Sequence, residues 1–182
     1  MLLPLPAIAV EITPMAGYRF GGHFETSTGE KLHFSENGSF ALAVDFDLEA
    51  QKQIELFWIH QKSDLTRGST EVFSSGIDYI HIGGTVLYPQ QSFIPFVAGG
   101  LGVTHFSPDS GYNSETRFSI SIGGGIKKMF NDHIGLRLEG RGYVTWFPNA
   151  GQIFCGNGGC NISASGDALF QYEGLAGAIL LF

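Results

Sequence analysis

The sequence predicts an all-β chain, an eight-stranded antiparallel up-and-down barrel that crosses a membrane. Three observations predict it. Hydrophobicity alternates residue by residue along much of the chain, connections alternate between short and long, and the best strands carry their charges on one parity only. Successive strand side chains point to opposite faces, so each such strand has one oily face and one charged face.

Composition sets the frame for this reading. The chain has 182 residues, with 26 Gly, 16 Phe and only 15% charged residues, which suits one domain. No apolar run approaches the ~20 residues of a membrane-crossing helix, so any crossing falls to strands. The net charge of −7 argues against nucleic acid as a partner.

The elements follow in chain order. Residues 1–6 are apolar, and Ala7-Ile8-Ala9 fits the small-x-small pattern of a signal cleavage site. Residues 1–9 therefore read as the remnant of a secretion signal without its positively charged start, and 10–182 as the barrel domain. Strands are expected at 10–25, 39–49, 53–63, 76–88, 93–105, 116–130, 134–147 and 170–182. The connections 50–52, 89–92 and 131–133 are short, while 26–38, 64–75, 106–115 and 148–169 are long and polar. Short turns at one end and long loops at the other describe an up-and-down barrel. A tilted strand needs ~9–11 residues to cross a bilayer, and most of these exceed that.

Parity decides which face meets lipid. One face carries Tyr18, Phe20, Phe24, Phe40, Leu42, Val44, Phe46, Leu48, Phe118, Ile120, Ile122, Ile126, Ile134, Leu136, Leu138, Val144 and Trp146. The other carries Arg19, His23, Asp45, Asp47, Glu55, Ser119, Ser121, Lys127, Arg137, Glu139, Arg141 and Thr145. The interior of an eight-stranded barrel is too narrow for the bulky set. Turning the arginines to lipid would cost about 2–4 kcal/mol each at mid-depth. The charges therefore point inward. The third, fourth and eighth strands alternate less cleanly, and their facing stays open. Tyr88, Phe93, Phe130 and Phe182 fall at the short-turn end, and Phe24, Trp58, Trp146 and Phe147 toward the long-loop end. Two aromatic belts around an aliphatic band suit the two membrane interfaces.

Inside, Arg19, Lys127, Arg137 and Arg141 face Asp45, Asp47, Glu55, Glu139 and Glu173. Four positive and five negative groups nearly balance, as buried charges must. Such a network reads as a structural plug, and a narrow channel for small or apolar solutes is the alternative. Cys155 and Cys160 enclose Gly156-Asn157-Gly158-Gly159, flexible enough to close a small disulfide ring in an oxidising compartment. Their spacing fits neither a CxxC redox pair nor a zinc site. Gly123-Gly124-Gly125-Ile126-Lys127-Lys128 lacks the Gly-Lys-Ser/Thr ending of a phosphate loop and sits inside a strand. Strand glycines instead allow close backbone approach and curvature.

The run from Gly123 to Tyr143, GGGIKKMFNDHIGLRLEGRGY, resembles the small eight-stranded outer-membrane barrels of Gram-negative bacteria, the OmpA/OmpX-like group. The end, Ala178-Ile179-Leu180-Leu181-Phe182, is similar to the C-terminal aromatic signature that such barrels offer their assembly machinery. The resemblance implies residence in the bacterial outer membrane, lipid and lipopolysaccharide as surroundings, a monomer, and Phe182 as an assembly signal. It is poor for function, because the group includes anchors, adhesins, small-ligand channels and a few enzymes. A lipid A-modifying hydrolase or acyltransferase would need a nucleophile, a base and an orienting carboxylate. His60, His81, His105 and the serines of 116–130 are available, but no spacing selects a pair, and no His-x-Ser-Asn run like that of lipid A deacylases is present. The expectation is a structural or surface-interaction protein without catalysis, cofactor or metal, with an unknown surface ligand at the loops.

Overall fold

The computed structural model describes residues 9–21, 23–25, 31–34, 38–67, 70–108, 113–146, 153–156, 159–162 and 168–182. The expected signal remnant, apart from Ala9, lies outside them. The described elements are β1 (Val10–Gly21), β2 (His23–Glu25), β3 (Lys31–Phe34), β4 (Gly38–Glu49), β5 (Lys52–Arg67) and β6 (Thr70–Leu87). They continue with β7 (Ile94–Pro108), β8 (Glu115–Met129), β9 (Ile134–Trp146), β10 (Ile153–Gly156), β11 (Gly159–Ile162) and β12 (Ala168–Leu181).

Eight of these make the barrel wall. The order β5-β4-β1-β12-β9-β8-β7-β6 is closed by pairing of β5 with β6, and every neighbour is antiparallel. Closure leaves no wall strand with a free edge, the condition for a sheet to stand in lipid. At the seam the chain ends meet: Val10 N donates to Phe182 O at 3.2 Å and Phe182 N to Val10 O at 3.0 Å.

The short connections are tight because their residues suit turns. Asn131 Oδ1 accepts from the backbone N–H of His133 at 2.9 Å and of Ile134 at 2.8 Å, an Asx turn that starts β9. Between β4 and β5, Gln51 takes a left-handed φ of 74°.

The long connections differ from the expectation of plain loops. β5 and β6 continue pairing to Arg67 opposite Thr70, across most of the segment expected as the loop 64–75. The first long connection contains β2 and β3, and β3 pairs with β5 at Leu32 opposite Arg67. The last contains the β10–β11 hairpin, whose register sets Cys155 opposite Cys160. Polar strands such as 62–67 lack the oily face that marks a lipid-bound strand, so alternation does not reveal them.

Sidedness is inverted relative to a water-soluble barrel. Leu101, Ile122, Ile80 and Ile82 face outward, with Ile122 69% exposed. Arg19, Asp45, Glu55, Lys127, Arg137 and Arg141 are all buried. The three strands of open facing now have sides. Gln53, Glu55, Phe57, Ile59 and Gln61 of β5 face in, as do Ile77, Tyr79, His81 and Thr85 of β6. Leu169, Gln171, Glu173, Leu175 and Ile179 of β12 also face in. Their alternation is weak because both faces carry apolar groups. At the short-turn end Tyr88, Phe93, Phe130 and Phe182 are exposed, and Trp58 and Trp146 are exposed toward the other end. The side chains of Phe24 and Phe147 lie outside the described residues.

Candidate functional site

The lumen gathers charged residues far apart in sequence into two groups. Strand parity aims them inward, and barrel closure brings the strands face to face. The larger group lies in the half nearer the short turns. Arg137 on β9 donates to Asp45 Oδ2 at 2.9 Å, to Glu55 Oε2 at 2.6 Å and to Glu139 Oε2 at 2.9 Å. Arg141, two repeats of the pleat further along β9, donates to Glu139 Oε1 at 2.6 Å and to Glu55 Oε1 at 2.7 Å. Lys127 on β8 donates to Glu11 Oε1 at 2.8 Å and to Gln53 Oε1 at 2.9 Å, and lies 3.8 Å from Asp45. Three cations thus share four carboxylates in one continuous network.

Aromatic faces complete the cations' surroundings. The Arg141 guanidinium lies 3.8 Å from the Phe57 ring centre and that of Arg137 4.6 Å from Phe96. Attraction to the ring quadrupole supplements hydrogen bonds where a planar cation has a free face.

The second group lies further toward the long loops. Arg19 pairs with Glu173 at 3.0 Å, and Glu173 also accepts from Tyr143 Oη at 3.1 Å and from Ser39 Oγ. Arg19 lies over the Tyr79 and Tyr143 rings at 4.9 and 5.2 Å. Tyr79 donates to Gln171, and Thr104 and Thr145 share a 2.9 Å bond. Ile59, Ile77, Phe106 and Leu169 add buried apolar bulk at this end.

Eight of the nine residues expected as lumen charges are brought together: Arg19, Asp45, Glu55, Lys127, Arg137, Glu139, Arg141 and Glu173. Asp47 is not among them. It is exposed at the rim, where it accepts from Gln53 Nε2 at 2.9 Å. Asp47 keeps its inward register opposite Gln53 but stands at the open end of the barrel, one residue pair before the turn, where solvent reaches it. Glu11 takes its place in the network. It shares the parity of Arg19 along β1, a signal that pointed to it. The side chains of Cys155 and Cys160 lie outside the described residues, as does that of His23. Phe182 is exposed at the seam.

The candidate histidines stand in three separate settings. His81 Nε2 lies 2.8 Å from Ser119 Oγ, both buried, and His81 Nδ1 has no hydrogen-bond partner among the described residues. His60 Nδ1 lies 2.9 Å from Asp78 Oδ1 on the outer face, where Trp58 Nε1 also donates to that oxygen at 3.1 Å. His105 Nδ1 bonds Thr116 Oγ1 at 2.8 Å. Each has a base with one partner. Among the described residues none combines a serine, a histidine and a carboxylate in one hydrogen-bonded chain, which acyl transfer of the triad type requires.

No protein-family model matches this chain, and no curated protein does. Solved structures do match its fold. Neisserial surface protein A superposes with a TM-score of 0.66 at 11% identity, covering 94% of this chain and 97% of that one. The outer membrane protein OprG from Pseudomonas aeruginosa gives 0.63 at 12% identity, covering 97% and 96%. The outer membrane protein AlkL, determined in lipid bilayers, gives 0.60 at 10% identity, covering 100% and 97%. The chain therefore has the fold of the small eight-stranded outer-membrane barrels.

Proposed function

We propose that the chain is an integral protein of the bacterial outer membrane with a structural or surface-interaction role, its lumen shut by the ion-paired core. One observation carries this reading: Arg137 is wholly buried while bonded to three carboxylates from three different strands. Such cross-lumen ties occupy the axis that a solute would use, and freeing them would expose unpaired charges at several kcal/mol each. Tyr79, Tyr143, Phe57 and Phe106 fill space above the network. The fold relatives, two of them outer-membrane proteins and the third a surface protein, support the location proposed here.

Its contacts then fall on the outside. Lipid and lipopolysaccharide surround the band, Phe182 offers the C-terminal signature to the assembly machinery, and the long connections face the cell's exterior with a surface ligand still to be named. The backbone register of Cys155 and Cys160 supports a disulfide that staples the β10–β11 hairpin. Purified protein in planar bilayers is expected to give no steady single-channel current. Regular conductance steps from the unmodified chain would overturn the closed lumen in favour of a channel.

A further inference from the structure

We propose that the outer surface of β8, β9, β12 and β1 holds one phospholipid of the leaflet on the short-turn side. Its acyl chain would lie in a glycine-floored trough and its phosphate on Lys128. The inference rests on the membrane-spanning reading and goes beyond it by naming a specific lipid site.

Most of the outer band is bulky, but here it is not. Along one cross-strand row, Tyr18, Gly174, Gly140 and Gly124 stand side by side, and the next row is Ala16, Ala176, Leu138 and Ile126. Apart from Gly124, these residues line a wide, shallow, open trough of about 690 Å³. Two of the three floor glycines have no packing reason to be glycine: a Cβ at Gly140 or Gly174 would meet nothing within 4 Å, whereas one at Gly124 would lie 3.2 Å from Phe96 O. Inner-wall glycines are different, since a Cβ at Gly83 or Gly102 would come within 1.9 Å of a neighbouring carbonyl oxygen. At Gly140 and Gly174 space is kept on the outside without any demand from the wall.

The trough also leads to a charge. A second hollow of about 230 Å³ shares Ile126 and Leu138 and runs on to Leu136, Phe93, Ser92 and Lys128. Gly124 to Lys128 covers ~13 Å along β8 at the usual strand rise. Lys128 is exposed on the outward face beside the belt residue Phe93, and no carboxylate pairs with it among the described residues. Lys52, at the same end, is instead paired with Glu49 at 2.9 Å. An apolar trough that ends in an unpaired ammonium at the interface complements an amphiphile with an anionic head. The lysine stem can lie along the apolar wall while its ammonium reaches the phosphate.

The test titrates the full chain, folded in detergent micelles, with dimyristoyl phosphatidylglycerol and counts retained lipid by native mass spectrometry. Wild type is expected to keep one lipid per chain. Gly174→Leu fills the trough without meeting the wall and should weaken retention about tenfold, a loss of ~1.4 kcal/mol. Lys128→Gln should weaken phosphatidylglycerol but leave uncharged dimyristoylglycerol unchanged. Equal retention by all three proteins would overturn the site. A wild-type dimer abolished by Gly174→Leu would overturn it too, in favour of a second copy as occupant. Heat-modifiable gel mobility separates the two levels: if wild type itself forms no barrel in micelles, the membrane-spanning reading fails along with the site.

Discussion

Arg137→Ala lowers the unfolding free energy of the barrel by about 3–5 kcal/mol, the usual cost of removing one member of a buried ion network. The loss is large because Asp45, Glu55 and Glu139 all keep their burial and lose their shared donor. Two cations, Lys127 and Arg141, then face four carboxylates. Adding Glu139→Gln to the variant removes one uncompensated charge and should restore part of the stability, a coupling that a double-mutant cycle reads directly. Urea unfolding in lipid vesicles, followed by the fluorescence of Trp58 and Trp146, measures all four proteins. An Arg137→Ala effect below about 1 kcal/mol would mean that the network does not hold the lumen, since surface-like pairs are worth no more than that.

Gly83→Ala should be nearly as damaging, although it adds a single methyl group. The new Cβ would fall 1.9 Å from Gly99 O and 2.6 Å from Gly100 Cα, both backbone atoms that cannot rotate away. The register pairs Gly83 with Gly100 and Gly84 with Gly99, a four-glycine patch where the strands coil closely. Overpacking a tight core costs about 1–3 kcal/mol, and displacing backbone pushes toward the upper end. Gly174→Ala on the outer face is the control and should stay within about 0.5 kcal/mol. Comparable losses for both would show that glycine matters for chain flexibility here and not for close approach.

Much of the barrel was legible because lipid imposes a period of two. In β4, β8 and β9 the parities separate cleanly, and Phe40, Ile122 and Leu138 read as outward while Asp45, Lys127 and Arg137 read as inward. β5, β6 and β12 were harder, because Phe57, Ile59, Ile77 and Leu175 are apolar residues that fill the lumen. An apolar group on both faces erases the signal. The extension of β5 and β6 to Arg67 and Thr70 was hidden for the opposite reason, since the sequence there is mostly polar and sustains no oily parity.

The membership of the lumen network followed from parity, but its wiring did not. Arg137 and Glu55 are 82 residues apart, and Arg19 and Glu173 are 154 apart. Their meeting depends on strand stagger and closure, which no local pattern records. The error at Asp47 has the same origin. Parity assigns it inward correctly, but parity does not record how near the open end of the barrel a residue stands, and Asp47 lies at the mouth opposite Gln53.

The sidedness of the barrel is the claim on which the lumen network, the lipid trough and the closed channel all depend. Methyl NMR of the unmodified chain in nanodiscs, with a nitroxide carried on the lipid acyl chains, reads it without any substitution. Methyl signals of Ile80, Ile82, Leu101, Ile122 and Leu138 should broaden strongly, while those of Ile59, Ile77, Leu175 and Ile179 should stay sharp. Equal broadening of both sets, or broadening of the second set alone, would contradict a charged lumen inside an apolar shell.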